Sequence, residues 1–122
     1  MILPTDEPLR RAAGRRRRSQ RLQNSFVMDE KQFRRHVREL GYDEPRVFEL
    51  PPGADGEMHV HEFSSFGLVI RGQARIQFEG HLEIDNPGDC TEVPAGVLHC
   101  EKAGEEGATV LLAFKTARDL KA

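Results

Sequence analysis

The sequence has few of the residues that mark several large protein classes. It contains no tryptophan, one tyrosine and two cysteines, and aromatic residues occupy 7% of its 122 positions. Two cysteines are too few for a disulfide scaffold, and Cys90 and Cys100 lack the CxxC spacing of a redox or zinc pair. No apolar run approaches the roughly eighteen residues that a membrane span needs. We therefore expect one soluble domain in a reducing, cytoplasmic setting.

Positive charge is concentrated at the N-terminal end. Residues 1–27 carry seven arginines against Asp6 and Glu7, a net charge of +5, which leaves −7 for the rest of a chain whose total is −2. Because this segment has few large apolar residues, we expect a disordered Arg-rich tail. Met28 directly precedes a helix start signal, which favours a dispensable extension; a nucleic-acid arm and a targeting segment are the alternatives. Because the rest of the chain is acidic, nucleic acid is not an expected partner, except through the tail.

The folded domain is expected over residues 28–122, beginning with a short helix over about 29–40. Asp29 and Gln32 have the three-residue spacing of a capping box, in which each side chain bonds the other residue's backbone N–H. Apolar residues then recur at helical spacing, at Phe33, Val37 and Leu40. This pattern predicts an amphipathic helix that packs against another element.

From Arg46 onward the sequence pattern changes to that of β-strands. Apolar and polar residues alternate over residues 74–78 and 82–84, with a period of two. Glycine- and proline-containing turn signals recur at intervals of roughly eight to twelve residues, which is typical of a sandwich or small barrel. The pattern predicts a mostly antiparallel β-barrel over about 46–115.

Two of the predicted strands are apolar on both faces. These are residues 68–70 and residues 110–114. One face of each strand can fill the barrel, but the other face needs a cover, either from the helix or from a second subunit. We therefore predict a homodimer.

Three histidines have the spacing of a metal site. His59 and His61 are two positions apart, so on a strand both imidazoles project to one face and can bind a single ion. Residues 88–99 have the form G-x5-P-x-G-x2-H, in which a turn reverses the chain and His99 supplies a third imidazole.

These motifs resemble those of small single-domain cupins. The residues that match are His59, His61 and Gly72 in the first motif, and Gly88, Pro94, Gly96 and His99 in the second. The resemblance covers residues 46–115. It implies an all-β double-stranded β-helix, or jelly-roll barrel, with one short N-terminal helix in front and the histidines at the barrel mouth.

The chain departs from the family pattern at two positions. Ser65 stands where the resemblance implies a glutamate ligand, and Ala103 stands where an asparagine often follows the third histidine. What remains is a mononuclear three-histidine site at His59, His61 and His99. Such a site suits one divalent transition metal, with Fe, Mn, Ni, Cu and Zn all left open by the sequence.

Two carboxylates near the histidines are candidates for a role in the site. Glu101 shares the strand face of His99 and is the candidate catalytic residue, as a base, a fourth ligand or a partner of the ligands. Glu62 follows His61 on the opposite face and is the weaker candidate. Cys90 and Cys100 are predicted to be small packing residues.

Other ring-bearing and apolar residues complete the predicted site. His36 on the helix and His81 beside a turn are interpreted as ordinary surface residues. Five apolar residues are available to wall a pocket, with alternation predicting that only some of them face inward: Phe63, Phe66, Val69, Ile76 and Phe78.

Two classes of function use these residues. The first is a metal-dependent enzyme acting on a small molecule as an oxygenase, isomerase or lyase; the alternative is a non-catalytic module that senses a ligand or metal. The sequence leaves catalysis open. A metal-independent epimerase of the same fold is disfavoured, because Tyr42, the sole tyrosine, lies outside the barrel motifs.

Overall fold

The computed structural model describes residues 25–116, which form one helix and six strands. In chain order these are β1 (Ser25–Val27), α1 (Glu30–Glu39), β2 (Arg46–Leu50), β3 (Phe63–Phe78), β4 (His81–Asp85), β5 (Asp89–Val93) and β6 (His99–Thr116). In the part of the chain that the structure describes, no helix is both long and apolar enough to span a bilayer.

The start of the folded domain differs from the prediction. Residues 1–24 of the predicted tail lie outside the described residues. Ser25–Val27 were expected in the tail but form β1, because their backbone pairs antiparallel with β5, from Ser25 opposite Thr91 to Val27 opposite Asp89. The prediction of disorder is therefore wrong for these three residues.

The strands form a jelly-roll barrel in which β3 and β6 each contribute to both layers. One layer has the order β1-β5-β3-β6-β2, while β4 pairs with the second half of β3. The layers meet where β3 bends, with register shifts between Val69 and Arg71 and between Gly72 and Ala74. Gly72 has a φ of +77°, and a Cβ there would lie 2.1 Å from the Gly107 carbonyl oxygen. The predicted all-β jelly roll with one short N-terminal helix is confirmed.

The helix begins with the capping box predicted from the sequence. Asp29 is the N-cap; its Oδ1 accepts a hydrogen bond of 2.8 Å from the Gln32 backbone N–H, and the Gln32 side-chain oxygen accepts one of 3.0 Å from the Asp29 N–H. Both bonds satisfy backbone donors that have no partner within the helix.

We expect Asp29→Ala to lower the free energy of unfolding by about 1 kcal/mol, since it removes the N-cap acceptor. Urea unfolding followed by circular dichroism measures the change. Asp29→Asn is the matched control, because asparagine caps helices equally well. An equal loss in both variants would contradict a role for the cap.

The two apolar faces of the long strands lie in two separate clusters. One cluster lies beneath the helix and consists of Phe33, Val37, Tyr42, Phe66, Leu68, Cys90, Leu111 and Ala113. The other lies inside the barrel and consists of Val69, Ala74, Ala108 and Val110, with Leu50 and Leu112 against it. The helix therefore supplies the cover that the sequence required. The homodimer stays a prediction.

Candidate metal centre

Main-chain hydrogen bonds hold the three histidines together at one end of the barrel. His59 and His99 form a two-residue bridge, in which His59 N–H donates to the His99 carbonyl at 2.7 Å and His99 N–H donates to the His59 carbonyl at 2.9 Å. The Gly96 N–H donates to the His61 carbonyl at 2.9 Å. The turn before β6 is thus bonded directly to the His59–His61 segment, which fixes all three residues relative to one another.

The structure brings the four predicted site residues into one cluster. One potential ligand atom from each of His59, His61, His99 and Glu101 can be chosen so that all four lie within 4.8 Å of one another. The imidazole centroids are 4.6 Å apart for His59 and His61, 4.7 Å for His59 and His99, and 5.5 Å for His61 and His99. These residues thus have the donor types and the proximity needed to hold a divalent transition metal.

The hydrogen bonds of two imidazoles determine which ring nitrogen faces the cluster. His59 Nδ1 lies 2.7 Å from the Glu57 carbonyl, and His99 Nδ1 lies 2.8 Å from the Val97 carbonyl. A carbonyl can only accept, so each Nδ1 must carry a hydrogen and donate it. Such a bond fixes the tautomer of metal-binding histidines and leaves the Nε2 lone pair for the metal.

Both Nε2 atoms point at the same carboxylate. Glu101 Oε1 lies 3.3 Å from His59 Nε2, and Glu101 Oε2 lies 2.8 Å from His99 Nε2. If both rings are neutral and carry their hydrogen on Nδ1, each Nε2 lone pair faces a carboxylate oxygen. Both atoms are then hydrogen-bond acceptors, and they repel each other. A positive species, either an added proton on each ring or a metal cation, resolves both contacts. The donor set therefore fits a cation.

His61 lies between the cluster and an aromatic ring. Its imidazole stacks on Phe63 with a centroid distance of 4.4 Å and an interplanar angle of 17°. Burial lowers the pKa of His61, and the neighbouring His59 and His99 lower it further. A lowered pKa keeps the ring neutral to lower pH, which is the form that binds a metal.

The four residues differ in their access to solvent. The His99 side chain is 1% exposed, whereas the Glu101 side chain is 41% exposed. Glu101 also lines a cavity of about 70 Å³ inside the barrel, together with Ser65 and apolar residues that include Val69 and Ile76. The cluster thus faces solvent on one side and the barrel interior on the other.

Several residues lie elsewhere than the sequence predicted. Phe66 does not wall the pocket, because it faces outward into the cluster beneath the helix. His36 packs edge-on against Phe66, with centroids 5.5 Å apart, so it is not a plain surface residue. His81 also has a specific partner, since its Nε2 lies 3.3 Å from Glu83 Oε1. The sequence did contain a signal for that pair, the repeated His-x-Glu pattern.

The predictions for the two cysteines and for Glu62 agree with the structure. Cys90 and Cys100 are both buried and neither forms a disulfide, which fits packing residues. Glu62 is exposed and lies outside the cluster, as expected for the weaker candidate.

A comparison with protein families decides what kind of barrel this is. The family model described as Cupin domain matches residues 46–114, more than half of the chain. The chain belongs to the cupin family. The family predicted from the histidine and glycine motifs is therefore confirmed.

Individual cupins match over parts of their length. Oxalate decarboxylase OxdC of Bacillus subtilis (strain 168) is 37% identical over an alignment of 86 residues, which covers 64% of this chain and 22% of that protein. The structure of KdgF from Halomonas sp. is 28% identical with a TM-score of 0.52, over 62% of this chain and 71% of that one. An RmlC-like cupin from Shewanella frigidimarina NCIMB 400 shares the fold, with 24% identity and a TM-score of 0.53 over 65% and 70% of the two chains. This cupin thus spans about a fifth of the length of the decarboxylase that it matches.

Proposed function

We propose that this cupin binds one divalent transition metal through His59, His61 and His99, with Glu101 as the fourth ligand, and that the centre takes a small oxygen-bearing molecule. The observation that carries the proposal is the pair of contacts from Glu101 to His59 Nε2 and His99 Nε2. Both imidazoles donate through Nδ1 to a carbonyl, so each needs a positive species at its other nitrogen.

Glu101 takes the place of the carboxylate that Ser65 does not provide. Ser65 is a poor metal ligand, and it lies on β3 among the residues that line the interior cavity. Glu101 reaches the cluster from β6, two residues after His99. The proposed centre therefore has three imidazoles and one carboxylate, with the carboxylate on β6 instead of β3.

The charge of the ligand set favours an anionic oxygen donor. Three imidazoles bind as neutral groups and Glu101 contributes one negative charge, so a dication held there keeps a net positive charge. A bound divalent metal supplies Lewis-acid polarisation of a ligand oxygen. The name oxalate decarboxylase denotes a relative that acts on a small carboxylate. We extend that ligand class, but not the reaction, to this protein.

Binding of a small oxygen-bearing ligand is the step common to the predicted enzyme classes and to a ligand-sensing module. Around the cluster, Phe63 stacks on His61, and the Phe78 ring lies 6.4 Å from the His99 ring. These two aromatic side chains give the mouth apolar walls, which exclude water and orient a small ligand towards the charged centre.

Metal analysis tests the proposal directly. The protein is purified without added metal and analysed for Fe, Mn, Ni, Cu and Zn, then stripped and titrated with Zn²⁺. We expect one metal ion per chain, and we expect Glu101→Gln to lower the Zn²⁺ affinity by about tenfold or more, since the amide lacks the negative charge. Titration calorimetry measures both stoichiometry and affinity.

Glu62→Gln is the matched control for this titration. It makes the same change in an exposed carboxylate directly after His61 but outside the cluster. We expect wild-type Zn²⁺ affinity. Metal uptake that is the same in wild type, Glu101→Gln and Glu62→Gln would contradict Glu101 as a ligand, and no uptake by wild type would contradict the metal centre itself.

A further inference from the structure

The barrel contains a second His-x-Glu pair beside the metal centre. His81 and Glu83 lie on β4, as His99 and Glu101 lie on β6, and both strands pair with the second half of β3. In each pair the imidazole Nε2 approaches the carboxylate, at 3.3 Å in the β4 pair and 2.8 Å in the β6 pair. Two similar polar pairs therefore flank one central strand.

The strand register places the two pairs directly opposite each other. Phe78 is the partner of His81 on one side and of His99 on the other. Its ring lies 5.9 Å from the His81 ring and 6.4 Å from the His99 ring, so all three side chains project from the same face. In the next row on that face, Ile76 lies between Glu83 and Glu101 in the same way. An apolar floor thus separates the metal centre from the second pair.

In the second pair, a buried carboxylate orients a partly exposed imidazole. The Glu83 side chain is 4% exposed and the His81 side chain is 37% exposed, so a buried carboxylate holds an accessible ring. As a carboxylate, Glu83 can only accept, which assigns the hydrogen of a neutral His81 to Nε2. The other nitrogen, Nδ1, is then a hydrogen-bond acceptor, and the group it recognises is a donor such as a hydroxyl.

We propose that His81, held by Glu83, binds the hydroxyl group of a ligand whose carboxylate is held at the centre formed by His59, His61, His99 and Glu101. The inference rests on the proposed function, because it needs a cation at that centre to hold the carboxylate. The ligand class is a short hydroxy carboxylate with its two polar ends separated by an apolar chain.

The sheet geometry sets the length of this ligand. His81 and His99 are two strand spacings apart, so their Cα atoms are separated by about 10 Å. Both side chains project to the same side over Phe78, and the metal-binding atoms lie among His59, His61 and His99 rather than at the β6 backbone. The remaining gap fits a chain of about three to five carbon atoms lying on Phe78 and Ile76.

Calorimetry with zinc-loaded protein and matched ligand pairs tests the inference. The probes are acetate, propionate and butyrate against glycolate, 3-hydroxypropionate and 4-hydroxybutyrate. We expect 4-hydroxybutyrate to bind about tenfold more tightly than butyrate, which is the effect of one added hydrogen bond. Glycolate is too short to reach His81, so we expect its affinity relative to acetate to be the same in wild type and His81→Ala. His81→Ala and His81→Phe should remove the hydroxyl preference and leave butyrate affinity unchanged. Leu82→Ala, on the opposite face of the same strand, should retain it.

A measurement on wild-type protein does not depend on how the variants fold. In the zinc-loaded protein, 4-hydroxybutyrate should shift the NMR resonances of the His81 ring, and butyrate should not. The inference is overturned, and the metal centre is left standing, if zinc-loaded protein binds 4-hydroxybutyrate no more tightly than butyrate. The same holds if the preference for 4-hydroxybutyrate survives His81→Phe. Failure to take up zinc overturns the metal centre and this inference with it.

Discussion

His99→Ala is expected to lower the affinity of the protein for Zn²⁺ by roughly a hundredfold to a thousandfold. Zinc sites with four protein ligands bind with about 10–16 kcal/mol, so one ligand contributes roughly 3 kcal/mol or more. His99 is the most buried member of the cluster, and its ring is fixed by Val97 on one side and Glu101 on the other. Alanine removes a pre-oriented donor, and among the described residues the cluster offers no fourth imidazole to replace it.

The variant is measured by Zn²⁺ titration of stripped protein, with circular dichroism to verify the fold. His36→Ala is the matched control, since it removes an imidazole on α1, outside the metal cluster. We expect His36→Ala to bind Zn²⁺ with wild-type affinity. Equal affinities in wild type and His99→Ala would show that zinc binds elsewhere and would refute the three-histidine site.

The backbone geometry explains why these histidines could be predicted from the sequence. His59 and His61 lie between β2 and β3 instead of on a strand, yet their rings come within 4.6 Å of each other, and the Pro94–Gly96 turn returns the chain so that His99 bridges His59. Glu101 follows from the alternation of side chains along β6. These relations depend on local periodicity and on turn chemistry, which a sequence carries explicitly.

Other features depend on contacts between distant segments, which local patterns do not encode. Ser25–Val27 form a strand only because the edge of β5 is available to pair with them. Phe66 faces the helix rather than the pocket, since the face that each strand residue occupies depends on where bulges shift the register of β3. The His-x-Glu spacing already places His81 and Glu83 on one face of β4, but the burial of Glu83, which is 4% exposed, depends on how β4 packs beside β3.

Phe66→Ala should be the most destabilising single substitution beneath the helix. Its side chain is 0% exposed, and its ring makes edge contacts with the rings of Phe33, His36 and Tyr42, at centroid distances of 5.5 to 5.8 Å. Truncating a buried phenylalanine costs about 3–5 kcal/mol through lost burial and the cavity left behind. Domains of this kind are stable by only about 5–15 kcal/mol, so the loss is a large fraction of the total.

Urea unfolding of the stripped protein measures this loss, and Phe66→Leu, which leaves a smaller cavity, should lose less. Zinc held at the proposed centre would stabilise the native state, so a free zinc concentration a hundred times the dissociation constant should raise the free energy of unfolding by about 2.7 kcal/mol. Phe66 lies outside the metal cluster. Zinc should therefore restore much of the stability of Phe66→Ala, but not that of Phe66→Ala combined with His99→Ala. A Phe66→Ala variant that folds but gains nothing from zinc would mean that the packing beneath the helix and the metal centre are not independent.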